Sequence, residues 1–102
     1  MKKQMTFMKK DLLVKLSGEM YLEDAEELRQ ELVNYALQGN NHLVIDMSEL
    51  IYIDSSGIAA LIAVNKSVLH SGGNVILINL CDNIKELFEI TYLNKIFNIQ
   101  VS

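Results

Sequence analysis

Two short runs without a polar residue, Leu43-Val44-Ile45 and Val75-Ile76-Leu77-Ile78, bracket a longer apolar segment that starts near Ser56 and closes on Ser71-Gly72-Gly73. A continuous apolar run of this length reads as a strand with neither face left to water, and the segment between the two has helical length. A helix between two strands is a crossover, so the strands it joins lie parallel in one sheet. The expectation is a pair of central parallel strands, His42 to Ser48 and Val75 to Ile78, covered on both faces by helices.

The flanking periodicities extend this unit. Met5 to Met8 and Leu12 to Leu16 read as two short strands joined through the polar turn Lys9-Lys10-Asp11. From Leu22 to Gln38 the apolar positions Leu22, Ala25, Leu28, Leu32 and Ala36 recur at helical spacing, and Gly39 supplies the stop. Asp82 is a candidate N-cap for a shorter helix with Ile84, Leu87 and Phe88 on its buried stripe. Ile96 to Val101 then alternates like an edge strand. The order β, β, α, β, α, β, α, β predicts an α/β fold: a mostly parallel mixed β-sheet with an N-terminal antiparallel hairpin and helices packed on it. At 102 residues the chain is expected to form a single domain, 1–102.

Composition removes several classes of function. Thirteen acidic residues against nine basic ones leave a net charge of −4, which provides no basic surface for nucleic acid and points to protein partners instead. No stretch reaches the roughly 18 consecutive apolar residues of a membrane span, so direct membrane insertion is not expected. Lys2, Lys3, Lys9 and Lys10 flank no secretory apolar core, and the cytoplasm is the expected compartment. Cys81 is the only cysteine, which excludes an intramolecular disulfide and a cysteine-built zinc site. His42 and His70 have no ligand-spaced neighbours, so neither a metal nor a cofactor is expected. The chain has no Gly-x-Ser-x-Gly elbow, phosphate-binding loop or dinucleotide fingerprint, and it does not read as an enzyme.

Asp54-Ser55-Ser56-Gly57 stands where the first central strand gives way to the apolar helix. A hydroxyl at a helix start can cap the free N–H groups there; once phosphorylated, its charge is partly offset by the helix dipole. Along that helix Ile58, Leu61, Ile62, Val64, Val68 and Leu69 share one broad arc, the side expected to face the sheet. The opposite arc carries Ser56, Ala59, Ala60, Ala63, Ser67 and His70. Its first two turns hold no charge, and Ala59, Ala60 and Ala63 beside the serines are expected to form a flat docking surface.

In order, Gly18-Glu19-Met20 before the first helix, Asp46-Met47-Ser48-Glu49-Leu50 leading through Ile51-Tyr52-Ile53 into Asp54-Ser55-Ser56-Gly57, and Gly72-Gly73-Asn74 before the next strand resemble a STAS domain over nearly the whole chain. The resemblance is to the anti-sigma factor antagonists of that family. It implies a regulatory protein that binds an anti-sigma factor when unphosphorylated, thereby releasing a sigma factor. The anti-sigma factor doubles as a serine kinase, and a serine phosphatase resets the cycle. It further implies that Ser55 is the phosphate acceptor and that Asp54, Ser56 and Gly57 belong to the partner-binding surface, with nucleotide and magnesium held by the partner. Two alternatives from the same family are a scaffold subunit of a signalling assembly and a cytosolic accessory subunit of a membrane transporter. One departure is visible: many phosphorylatable relatives carry an acidic residue two places after the glutamate of Gly-Glu, whereas Gly18-Glu19 is followed by Met20 and Tyr21. Tyr21 is a candidate partner contact. STAS domains commonly carry a further C-terminal helix, and none is expected within these 102 residues.

Overall fold

The computed structural model describes residues 1–9 and 11–100. Its five strands lie in sequence order across one sheet. They are β1 (Lys2–Met8), β2 (Asp11–Met20), β3 (His42–Ile53), β4 (Asn74–Ile78) and β5 (Asn98–Gln100). Three helices connect them: α1 (Leu22–Leu37) between β2 and β3, α2 (Ser55–His70) between β3 and β4, and α3 (Asp82–Ile90) before a 3₁₀ turn, Leu93–Lys95, that leads to β5. β1 pairs antiparallel with β2, and every later pair is parallel. This is the expected mixed α/β sheet with its N-terminal hairpin.

Sequential order corrects one expectation about the helices. Each crossover steps to the neighbouring strand in the same direction, and a right-handed crossover repeated in one direction leaves every helix on the same side of the sheet. Only one face is therefore covered. Across that face the registered residues Leu12–Leu43–Val75 and Val14–Ile45–Leu77 are buried, in one core with the inward stripes of all three helices. Each of these side chains contributes about 2 kcal/mol of transfer free energy. The intervening row, Leu13–Val44–Ile76, is only half-buried. The unbroken apolar runs reflect a sheet with one wet face that is nevertheless apolar.

The strands flanking the tetrapeptide run further than expected. β3 was expected to end at the polar Ser48, but β2 continues to Met20 and pairs with it through two register shifts, ending on Gly18↔Leu50, Glu19↔Tyr52 and Met20↔Ile53. This extension brings Asp54 beside Met20, whose carbonyl accepts the Asp54 N–H at 3.4 Å. At the other edge, the strand expected over 96–101 is shorter. Leu93–Lys95 form the 3₁₀ turn, and Phe97 is buried against Phe88 with ring centroids 5.7 Å apart. Val101, and Lys10 of the first turn, lie outside the described residues. α3 begins at Asp82 with Cys81 at the cap position, one residue before the expected cap.

Candidate functional site

α2 starts directly where β3 stops, and a single carboxylate organises the junction. Asp54 is the N-cap, with extended backbone; its Oδ1 accepts the Gly57 N–H at 3.0 Å and the Ser56 hydroxyl at 2.6 Å. The Ser56 hydrogen bond, followed by the Gly57 N–H, holds the Asp54 carboxyl below the usual carboxylate range. The helix starts one residue earlier than expected, so Ser55 is its first residue and neither serine is the cap. Ser55 is exposed, and its hydroxyl makes no hydrogen bond among the described residues. Two adjacent hydroxyls are thus unlike: that of Ser56 is half-buried and committed, that of Ser55 exposed and uncommitted.

Below the serines the packing is tight. A Cβ on Gly57 would lie 2.5 Å from Ile53 Cγ1 and 2.8 Å from Met20 Sδ, the two residues paired at the ends of β3 and β2. Gly57 is buried, so its role is to let the helix sit on that pair rather than to offer a surface for docking. Ala60 needs the same correction. It is 5% exposed and packs into the core, whereas Ala59 is exposed and Ala63 half-buried. Leu69, expected on the sheet side, is exposed, and Asn65 takes an inward position instead. The small-residue surface therefore consists of Ala59 and Ala63, one helical turn apart.

α1 begins at the same end of the sheet. Leu22, Ala25, Glu26 and Arg29 face Ser56, Ala59 and Ala60 across an open groove of about 240 Å³. Leu22, expected on the buried stripe, is exposed at the mouth of that groove. Tyr21 is the N-cap of α1 and is 49% exposed; its ring lies 5.4 Å from that of Tyr52, itself 44% exposed. The Tyr21 hydroxyl donates to Glu19 Oε2 at 2.7 Å, and this bond, reinforced by desolvation and by the neighbouring charge, raises the phenol above its ordinary pKa. With a tyrosine at the cap, the capping carboxylate comes from inside the helix: Asp24 Oδ2 accepts the Tyr21 N–H at 3.2 Å. Tyr52 and Ile51, which lead into the tetrapeptide, are exposed neighbours of the same surface. The register shift before Glu19↔Tyr52 leaves both Ile51 and Tyr52 exposed while Ile53 is buried, an arrangement that strand alternation alone does not predict.

Asp54, Ser55, Ser56, Ala59 and Tyr21 thus gather at one end of the sheet, over a buried floor that includes Gly57 and Ala60. Among the described residues no cluster of three or more His, Cys, Asp or Glu could hold a metal ion, and no helix is long and apolar enough to cross a membrane.

Comparison with known proteins places this arrangement among relatives. A family model described as the STAS domain matches residues 2–102. An anti-sigma-B factor antagonist of Bacillus subtilis is 36% identical over 89 residues, covering 87% of this chain and 81% of that protein. The protein of the same name in Listeria monocytogenes is 31% identical over 85 residues, covering 83% and 75%. Among solved structures, the anti-sigma factor antagonist SpoIIAA in its unphosphorylated form superimposes with a TM-score of 0.81 at 17% identity, covering 99% of this chain and 89% of that one. The Bacillus cell fate determinant SpoIIAA in the phosphorylated form gives 0.83 at 18% identity, covering 99% and 91%. At these identities the two structures establish the shared fold.

Proposed function

This chain belongs to the STAS domain family, and we propose that within it the protein is an anti-sigma factor antagonist of the cytoplasm, switched by phosphorylation of Ser55. The observation that carries the reading is the exposed hydroxyl of Ser55 on the first turn of α2, which makes no hydrogen bond among the described residues. Unphosphorylated, the protein binds an anti-sigma factor through Ser55, Ser56, Ala59, Ala63 and Tyr21, with Asp54 at the rim, and a sigma factor is released. The anti-sigma factor is also the serine kinase. It transfers the γ-phosphoryl group of ATP to Ser55 Oγ: a new O–P bond forms, the bond to ADP breaks, and the hydroxyl proton departs. A serine phosphatase hydrolyses the ester and restores the first state.

Phosphorylation adds about 1.5 to 2 negative charges beside Asp54. The free N–H groups of α2 offset part of that repulsion, so the fold accepts the group. A complex that has buried the neutral Ser55 hydroxyl and the Ala59 methyl does not, because it would have to desolvate a dianion. Charge thereby changes binding without changing the fold.

Incubation with the anti-sigma kinase and ATP should add one phosphate to the wild type and to Ser56→Ala, and none to Ser55→Ala, which should remain bound to the anti-sigma factor. Mass spectrometry locating the phosphate on Ser56 in the wild type, or full binding by stoichiometrically phosphorylated protein, would sink the proposal.

A further inference from the structure

We infer that Asp54 is a positioning residue that selects between the two serines, holding the hydroxyl of Ser56 and leaving that of Ser55 to the kinase. The inference rests on the phosphorylation reading above and adds to it the origin of its site selectivity.

A single oxygen, Asp54 Oδ1, receives both the Gly57 N–H and the Ser56 hydroxyl, at 3.0 and 2.6 Å. The backbone bond fixes the carboxylate at the helix start, and the carboxylate in turn fixes the Ser56 side chain. Ser56 Oγ is then turned towards the cap and is half-buried at the groove beside Leu22 and Ala25 of α1. To accept a phosphoryl group it must swing away from Asp54 and break a hydrogen bond to a charged acceptor. It must also bring the incoming group into the groove lined by Leu22, Ala25, Glu26 and Arg29. Ser55 needs neither step, since it is exposed and its hydroxyl makes no hydrogen bond among the described residues. The hydrogen bond alone favours Ser55 by on the order of tenfold to a hundredfold. The two serines are identical in chemistry and adjacent in sequence, so discrimination has to come from what holds them.

The test compares Asp54→Ala, which removes the acceptor, with Asp54→Asn, which keeps a carbonyl oxygen in its place. Proton couplings between Hα and Hβ report each serine rotamer without any kinase. In the wild type and Asp54→Asn, Ser56 should show one rotamer and Ser55 averaged values; in Asp54→Ala both should average. With the anti-sigma kinase and ATP, mass spectrometry should find phosphate on Ser55 alone in the wild type and Asp54→Asn. In Asp54→Ala it should be divided between Ser55 and Ser56, the share on Ser56 rising at least tenfold. A generally weakened helix start would slow modification without moving it, so the position of the phosphate and its restoration by asparagine separate selection from mere capping. Averaged Ser56 couplings in the wild type, phosphate confined to Ser55 in Asp54→Ala, or Asp54→Asn behaving like Asp54→Ala would each overturn the inference. A wild type that takes no phosphate overturns the proposed function and this selectivity with it; a wild type modified on Ser55 with an Asp54→Ala variant modified only there overturns the selectivity alone.

Discussion

The two ends of the parallel sheet are built on different principles. Where β3 and β4 begin, backbone and side-chain amides are tied to one another. Asn41 donates its side-chain amide to Ser71 O at 3.1 Å, its own carbonyl accepts the Asn74 N–H at 2.9 Å, and His42 Nδ1 lies 2.7 Å from Asn74 Oδ1. Gly73 fits this knot so closely that a Cβ would come within 1.9 Å of Asn41 O. Where β2 and β3 end, by contrast, the close contact lies below the surface, between Gly57 and the side chains of Met20 and Ile53. Above it Ser55, Tyr21, Tyr52 and Ala59 are exposed. One end spends its polar groups on closing the fold, and the other keeps a hydroxyl and a patch of rings available to a partner.

Substitution at the two closely packed glycines, Gly57 and Gly73, should break this comparison most visibly. In Gly73→Ala the new methyl meets a backbone carbonyl that is itself held in the β3–β4 connection, so relief requires strands to move; the expected cost is about 3 kcal/mol or more. In Gly57→Ala the obstacle is side-chain atoms, Ile53 Cγ1 and Met20 Sδ, which can give by a change of rotamer without moving a strand, and the cost should be smaller, about 1 to 2 kcal/mol. Urea unfolding of both variants gives the order directly. A Gly57→Ala variant less stable than Gly73→Ala would mean that the switch end is the rigid one.

A neighbouring pair on α2 sharpens the contrast within the switch end itself. Ala59→Glu places a charge on the exposed face and should change stability by less than about 0.5 kcal/mol while abolishing capture of the anti-sigma factor. Ala60→Glu, one residue on, pushes a carboxylate towards the core and should cost about 2 kcal/mol. Thermal melts and pull-downs on the two variants separate docking surface from floor. Loss of stability in Ala59→Glu with capture intact would move the docking face elsewhere.

How much of this was legible in the sequence depends on the distance over which each signal acts. The element order and the place of the tetrapeptide were legible because apolar period and glycine stops are local. The uncovered face of the sheet was not: Val44 and Ile76 are as apolar as their buried neighbours, and only the strand order reveals that no helix lies over them. Ala60 was misread for a related reason. A helical wheel gives the arc but not where α1 packs, and α1 covers the edge of α2 on which Ala60 lies. Asn65 is polar yet only 5% exposed on α2, a burial that residue type alone does not indicate. The difference between Ser55 and Ser56 depends on one hydrogen bond of 2.6 Å, which no spacing rule encodes.

The smallest expected effect is a change in acid stability confined to the cap. The Asp54 carboxyl titrates below its ordinary value because the folded protein supplies the Ser56 hydroxyl and the Gly57 N–H to its charged form. A depressed folded pKa means that this stabilisation is complete above the ordinary carboxylate value of about 3.9 and is lost as the pH falls through the folded value. In that window the unfolded chain binds more protons, so stability must rise with pH. Asp54→Asn has no proton to exchange there, and its stability should fall less steeply than that of the wild type as the pH is lowered from about 5 to about 3. Asp46 provides the internal comparison. Burial pushes its carboxyl up, but the Ser48 N–H, the Asn79 amide and Lys15 draw it down further, so it too loses stability in acid. That contribution is present in both proteins, because the groups that hold Asp46 (Ser48, Asn79 and Lys15) are not those that hold Asp54. Urea unfolding at a series of pH values should therefore show two curves that both decline, with the wild type declining faster. Parallel curves would mean that the Asp54 cap carries no net electrostatic advantage, and the fixed carboxylate on which serine selection depends would lose its support.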